Sequence, residues 1–121
     1  MKILIVDDAK AMRMIVRRTL RQAGIEAERI DEAADGKEAL EKIQAQPPDL
    51  VLCDWNMPGM TGIELLTELR KSGSRVHFGF VTSEGTAQMR QTAQAAGARF
   101  LITKPFTPDS FRDEIAKAFD P

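Results

Sequence analysis

The side chains of this 121-residue chain that could do chemistry sit at the ends of short apolar runs. Asp7 and Asp8 follow the run Ile3 to Val6, and Asp54 and Asn56 follow Leu50 to Cys53. Thr82 and Ser83 follow Phe78 to Val81; Thr103, Lys104 and Pro105 follow Phe100 to Ile102. A further run, Ile30 to Ala34, delivers nothing comparable. Three carboxylates brought to one place repel one another, and ionised acids share a site only with a cation between them. A donor set of oxygens, without His or Cys among them, suits Mg2+, which keeps several waters and takes a phosphoryl oxygen as partner; Zn2+ is a poor match. A divalent metal, one Lys and one hydroxyl are also the parts phosphoryl transfer needs, since it rests on positioning and on neutralising charge.

Each residue alone has an ordinary explanation. Asp7-Asp8 suits a strand-terminating turn and N-cap, Thr82 a β-former at a strand end, and Lys104 a solvated charge. Asp54 is harder to dismiss, because an ionised carboxylate against Leu-Val-Leu-Cys costs desolvation energy. Together they place the right chemical type at four separate strand ends, which favours one shared site.

The elements that must position them alternate along the chain. The apolar runs are five strand candidates, and helical spacing fills the gaps: Met12, Ile15, Val16, Thr19, Leu20 and Ala23; Ala39, Leu40 and Ile43; Leu65, Leu66 and Leu69; Phe111, Ile115, Ala118 and Phe119. Asp35 with Glu38 and Thr61 with Glu64 read as capping boxes, and Thr107 before Pro108 as another helix start. Gly24 and Gly97 fall where left-handed C-caps are wanted, and Pro47-Pro48 ends the second helix. Strict alternation predicts an α/β fold with a doubly wound, five-stranded parallel sheet and five helices, flavodoxin-like, with right-handed crossovers. In an order 2-1-3-4-5 the first and third strands flank the reversal, where ligands bind beyond the strands' carboxyl ends, and those two strands deliver the carboxylates.

Composition bounds the rest. The chain is 43% hydrophobic, enough for a core without disulfides, and residues 1–121 read as one domain; starting at Met1 suggests a complete gene product. Seventeen basic and 18 acidic residues leave a formal charge of -1, with no global field to attract nucleic acid. The lone Cys53 points to a reducing, cytoplasmic setting. No signal peptide or stretch of transmembrane length is present, so no membrane insertion is expected.

In order and spacing, Asp7-Asp8, Asp-Trp-Asn-Met-Pro-Gly from Asp54 to Gly59, Val-Thr-Ser at 81 to 83 and Lys104-Pro105-Phe106 resemble the response-regulator receiver family, over the whole chain. The Asp-Trp-Asn-Met-Pro wording looks most like chemotaxis-type, stand-alone regulators. The resemblance implies Asp54 as phosphoacceptor, Asp8 as direct Mg2+ ligand, Asp7 holding a metal-bound water, the backbone carbonyl of Asn56 completing the protein's share, and Thr82 and Lys104 binding phosphoryl oxygens. It further implies a phosphohistidine donor on a sensor histidine kinase or phosphotransfer protein, or a small acyl phosphate. The domain would catalyse its own transfer and slow hydrolysis, as a signalling switch, and an output partner would dock on the face of the fourth helix, fifth strand and fifth helix. A cis Lys104-Pro105 peptide is expected as well. The family's aromatic switch position, three before the Lys, is Leu101 here, so a relay that rotates a ring is not expected, and alternation points Phe100 to the opposite face.

Lys10, Arg13, Arg17 and Arg21, with Arg18 beside them, form a basic stripe on the first helix, read as a solvated face with donor docking as the alternative. Trp55 is expected at the pocket rim or partly in the core, His77 on the surface, and Met12, Met14, Met57, Met60 and Met89 in packing. A Mg2+-dependent aspartate-nucleophile phosphatase would place a second acid two residues after the nucleophile, where Asn56 stands. A nucleotide- or flavin-binding module would need a Gly-rich loop after the first strand, which is absent. A receiver excised from a larger regulator with an effector domain stays open.

Overall fold

The computed structural model describes residues 1–119. Five strands and five helices alternate: β1 (Lys2–Val6), α1 (Lys10–Gln22), β2 (Arg29–Ala33), α2 (Gly36–Ala45), β3 (Leu50–Cys53), α3 (Gly62–Lys71), β4 (His77–Thr82), α4 (Ala87–Ala96), β5 (Phe100–Thr103) and α5 (Pro108–Ala118). All strand pairs are parallel, in the order β2-β1-β3-β4-β5. The reversal falls at β1 and β3, where Val6 pairs with Cys53, so Asp7 and Asp54 emerge side by side.

Alternation along the strands divides the core in two. Leu4, Val6, Val51, Cys53, Phe78, Phe80 and Leu101 face the cluster that includes Ile43, Leu65, Leu66 and Leu69 from α2 and α3. Ile3, Ile5, Leu50, Leu52, Val81, Phe100 and Ile102 face Val16, Leu20, Phe111 and Ile115 from α1 and α5. Burial on both faces is why the inner strands read as unbroken apolar runs. Phe100 and Leu101 take opposite faces, as alternation requires.

The edge strand β2 begins at Arg29 and ends at Ala33, one residue earlier at each end than its apolar pattern suggested. Ala34 belongs to the following turn, where its N–H donates to Glu38 Oε1 at 2.8 Å. Asp35 caps α2 by accepting from the Glu38 N–H, but Glu38 reaches past it to Ala34, so the box is not reciprocal. Thr61 and Glu64 do form the reciprocal box, and Thr107 forms one with Ser110. Thr86 caps α4, a start the sequence reading did not single out. Gly97 ends α4 at φ 105° and Gly24 follows α1 at φ 76°, where a Cβ would strain the chain.

Three expectations change. The α1 stripe is not simply a solvated face: Arg13 Nε and Arg17 Nη2 reach Glu32 of β2 at 2.8 and 2.9 Å, and Arg17 also donates to the Ile30 carbonyl. Lys10, Arg18 and Arg21 do stay exposed. His77 is half-buried, its ring 4.4 Å from that of Phe119. Of the methionines, Met57 is buried and Met12, Met60 and Met89 half-buried, but Met14 stands exposed on α1. Among the described residues, no helix is long and apolar enough to cross a membrane.

Candidate functional site

The site is built on the last rungs of the sheet. The Asp7 N–H donates to the Ala33 carbonyl at 3.1 Å, the Asp54 N–H to Val6 at 2.9 Å and the Lys104 N–H to Thr82 at 2.8 Å. Asp7, Asp54 and Lys104 are thus each held by the strand beside them. Asp7 is buried, with Oδ1 accepting from the Ala9 N–H at 2.9 Å and its carbonyl accepting from Arg13 Nη1 at 2.7 Å. Asp8 is exposed at the mouth.

The structure brings together carboxylate oxygens of Asp7, Asp8 and Asp54, all within 4.8 Å of one another. Lys104 Nζ faces this cluster, 3.5 Å from Asp7 Oδ2 and 3.7 Å from Asp54 Oδ2. The Lys104-Pro105 peptide is cis, as expected. Asp54 Oδ1 accepts from the Trp55 N–H at 2.8 Å, leaving Oδ2 on the Lys104 side. Burial raises the Asp54 pKa; Lys104 opposes the rise, Asp7 adds to it, and the peptide N–H groups of Trp55 and Asn56 oppose it, with a net upward shift. One ammonium among three acids leaves an excess of negative charge that a cation would neutralise, and the donors are all oxygen, a set suited to a hard divalent ion.

Thr82 is completely buried, and its Oγ1 has no hydrogen-bond partner among the described residues. A buried hydroxyl left unpaired costs stability, so Thr82 Oγ1 is a donor still open to a partner. Asn56 is exposed two residues after Asp54, while Ser83 is exposed beside Thr82. Trp55 satisfies both expectations: half-exposed at the rim, its ring centroid lies 4.8 Å from Phe80 in the core. Cys53 is buried and its thiol donates to the Asp54 carbonyl at 3.1 Å; burial, then Asp54 and Asp7, push its pKa far up and keep it protonated.

Two contributors were missed in the sequence. Gly62 opens α3 directly under the site, where a Cβ would collide with the Asp54 carbonyl oxygen and the Phe80 ring. Its N–H closes the loop by donating to the Trp55 carbonyl at 2.9 Å. A Gly just after the Thr61 cap, where a better helix former would serve, was the available signal. Arg90 is the second: its Nη1 donates to the Leu101 carbonyl at 3.1 Å and its Nε to Gly85 at 3.4 Å, tying α4 to β5 and to the loop after β4. Leu101 itself is buried, so the position three before Lys104 is filled by aliphatic packing, without a ring.

Residues 3–116 match the pattern of the response regulator receiver domain. The chain is 39% identical over 122 aligned positions to chemotaxis protein CheY-3 of Vibrio cholerae, covering 99% of this chain and 92% of that one. It is also 39% identical to chemotaxis protein CheY of Pseudomonas aeruginosa, covering 99% and 97%. The solved structure of V. cholerae CheY4 superposes with a TM-score of 0.84 at 34% identity, over 98% of each chain. A chain of the CheX-CheY-BeF3-Mg2+ complex from Borrelia burgdorferi shares the fold, with a TM-score of 0.88 at 24% identity over 99% and 90%. Matched along nearly its whole length, with a carboxylate cluster, a Lys and a buried hydroxyl at the carboxyl ends of β1, β3, β4 and β5, the chain belongs to the response regulator receiver family, as a CheY-like domain of two-component phosphoacceptor signalling.

Proposed function

We propose that Asp54 accepts the phosphoryl group and that Lys104 and Thr82 hold its oxygens. The observation that carries the assignment is the pairing of a half-buried carboxylate facing Lys104 with a fully buried hydroxyl that has no partner of its own. Asp54 Oδ2 is the attacking oxygen. It forms the O–P bond as the P–N bond to a donor imidazole breaks, and the imidazole leaves neutral after taking up a proton. The ammonium of Lys104 meets charge on the equatorial oxygens, and the Thr82 hydroxyl donates to one of them. Mg2+, held by Asp8, Asp54 and the Asn56 carbonyl and through a water by Asp7, would neutralise the remaining negative charge and orient the phosphoryl group. The domain catalyses its own phosphorylation and slow hydrolysis, since an amide stands at position 56 where a turnover enzyme of the phosphatase class would carry an acid.

The donor is a phosphohistidine on a sensor histidine kinase or phosphotransfer protein, or a small acyl phosphate. The output partner docks on α4, β5 and α5, of which Arg90 ties α4 and β5 to the loop after Thr82. The working compartment is the cytoplasm. Acetyl phosphate with Mg2+ should add one phosphoryl group, seen by intact mass, and change Trp55 fluorescence. Equal labelling of wild type and Asp54→Asn would refute the acceptor.

A further inference from the structure

At the end of the sheet opposite the carboxylates, a cavity of about 710 Å³ opens between the C-terminal end of α3, the starts of β4 and β5, and α4. Arg70, Arg75, Arg90, Arg99 and His77 line it, and Glu114 is its one acid. We propose that this cavity binds a small anion with linked phosphate groups, gripped by the guanidinium forks of Arg70, Arg75 and Arg99.

Arg13, Arg17, Arg29 and Arg112 each face a carboxylate, whereas none of the four cavity arginines does so among the described residues. Arg18 and Arg21 are also without a carboxylate partner among the described residues, but they stand exposed on α1, whereas the cavity arginines are gathered around one concavity. Glu114 already engages Lys117 Nζ at 3.2 Å. Arg70, Arg75 and Arg99 therefore gather around one cavity, with Arg90 at its side turned to the Leu101 and Gly85 carbonyls, in a chain whose formal net charge is -1. Their proximity is felt: burial, then Arg75 and Arg99, lower the pKa of Arg70, and burial, then Arg99 and Arg70, lower that of His77 against a weaker opposing pull from Asp49. Gathering like charges without a counterion costs free energy that an anion recovers on binding.

Arg70 is also preset. Its Nη1 donates to the Ser74 carbonyl at 3.1 Å and its Nη2 to Gly97 at 2.9 Å, which fixes the guanidinium between the α3 and α4 ends. Arg75 and Arg99 are exposed and make no side-chain hydrogen bond among the described residues, so their forks are free for a ligand. A concave site of this volume, floored by Val76, Ala98 and Phe100, is of small-ligand size, and planar guanidinium forks match phosphate geometry. Inorganic oligophosphates and nucleoside oligophosphates share that chemistry.

The test is an amide-shift titration of the full chain with pyrophosphate at low salt without divalent metal, repeated with ATP. Saturable shifts at Val76, His77 and Gly97 to Phe100 are expected, retained in Asp54→Asn and weakened at least tenfold in Arg75→Ala/Arg99→Ala. Tighter ATP than pyrophosphate binding would identify the nucleoside form, and equal affinity the inorganic one. Absence of saturable shifts, shifts confined to the Lys104 pocket, loss in Asp54→Asn, or unchanged affinity in the double variant would each overturn the site. Preference for a glutamate-rich peptide over pyrophosphate would overturn it too, making the cavity a protein dock. Because retention in Asp54→Asn is part of the expectation, this outcome is independent of the phosphoacceptor assignment.

Discussion

Replacing Asp54 by Asn should stabilise the metal-free protein at neutral pH. The side chain is 13% exposed, and its carboxylate lies within 4.8 Å of those of Asp7 and Asp8. At an effective dielectric of ~20, the Asp7–Asp54 pair costs about 3.5 kcal/mol if set at that upper limit of separation, and the exposed Asp8 adds ~1 kcal/mol after solvent screening. Lys104 at 3.7 Å returns about 4.5 kcal/mol by the same reckoning. These contributions nearly cancel, so the cost of burying the ionised group decides the sign. The amide keeps the acceptor for the Trp55 N–H and sheds that cost, for an expected gain of about 1–2 kcal/mol. Urea unfolding at pH 7 in chelator would measure it, and the melting temperature should rise by roughly 4 °C per kcal/mol. Because folding raises the Asp54 pKa, the wild type binds more protons folded than unfolded; its deficit is full above the folded pKa and vanishes below the unfolded value of about 3.9. An Asp54→Asn variant no more stable than wild type at pH 7, or a gap that widens in acid, would refute this account of the site.

Thr82→Val removes an unpartnered buried hydroxyl at nearly constant volume, so chemical denaturation should show a change between zero and about 1 kcal/mol of stabilisation, while acetyl phosphate labelling slows. Gly62→Ala drives a methyl group into the Asp54 carbonyl and the Phe80 ring; a loss of about 2 kcal/mol or more in urea is expected, together with slower labelling. Glu32→Gln should cost about 1 kcal/mol at pH 7 by the same assay. Burial works to raise the Glu32 pKa, but the hydrogen bonds and charges of Arg13 and Arg17 prevail and lower it. That stability is therefore present above about pH 4.3 and fades as pH falls through the folded value.

What could be read in the residues depended on whether one element or several decided their state. The inner strands were plain because burial on both faces leaves only apolar residues, and strand ends located the carboxylates, Thr82 and Lys104 without any knowledge of side-chain contacts. β2 was misplaced by one residue because an edge strand of sequence Arg-Ile-Asp-Glu-Ala carries little apolar signal. α4 gave the weakest pattern, with only Ala93 buried in the helix. Partners on separate elements were out of reach: the basic stripe gave no hint that Glu32 clasps Arg13 and Arg17, nor did position 90 reveal a hold on Leu101. Gly62 was visible as a residue type, but the backbone approach that demands it belongs to the assembled fold.

The backbone hydrogen bonds that seat Asp7, Asp54 and Lys104 on the neighbouring strand make these three positions part of the sheet's cooperative layer. Their amides should exchange with solvent only when the sheet itself opens, at the free energy of global unfolding. On the proposed assignment the acceptor and its ammonium would be a fixed reference frame, and whatever moves on phosphorylation would have to be carried by the segments outside that frame: the loop after Thr82, α4 and the side chains that tie it down. Such an arrangement separates chemical precision from mechanical response, so the moving segments can vary to suit a partner without disturbing the geometry in which the phosphoryl group is received.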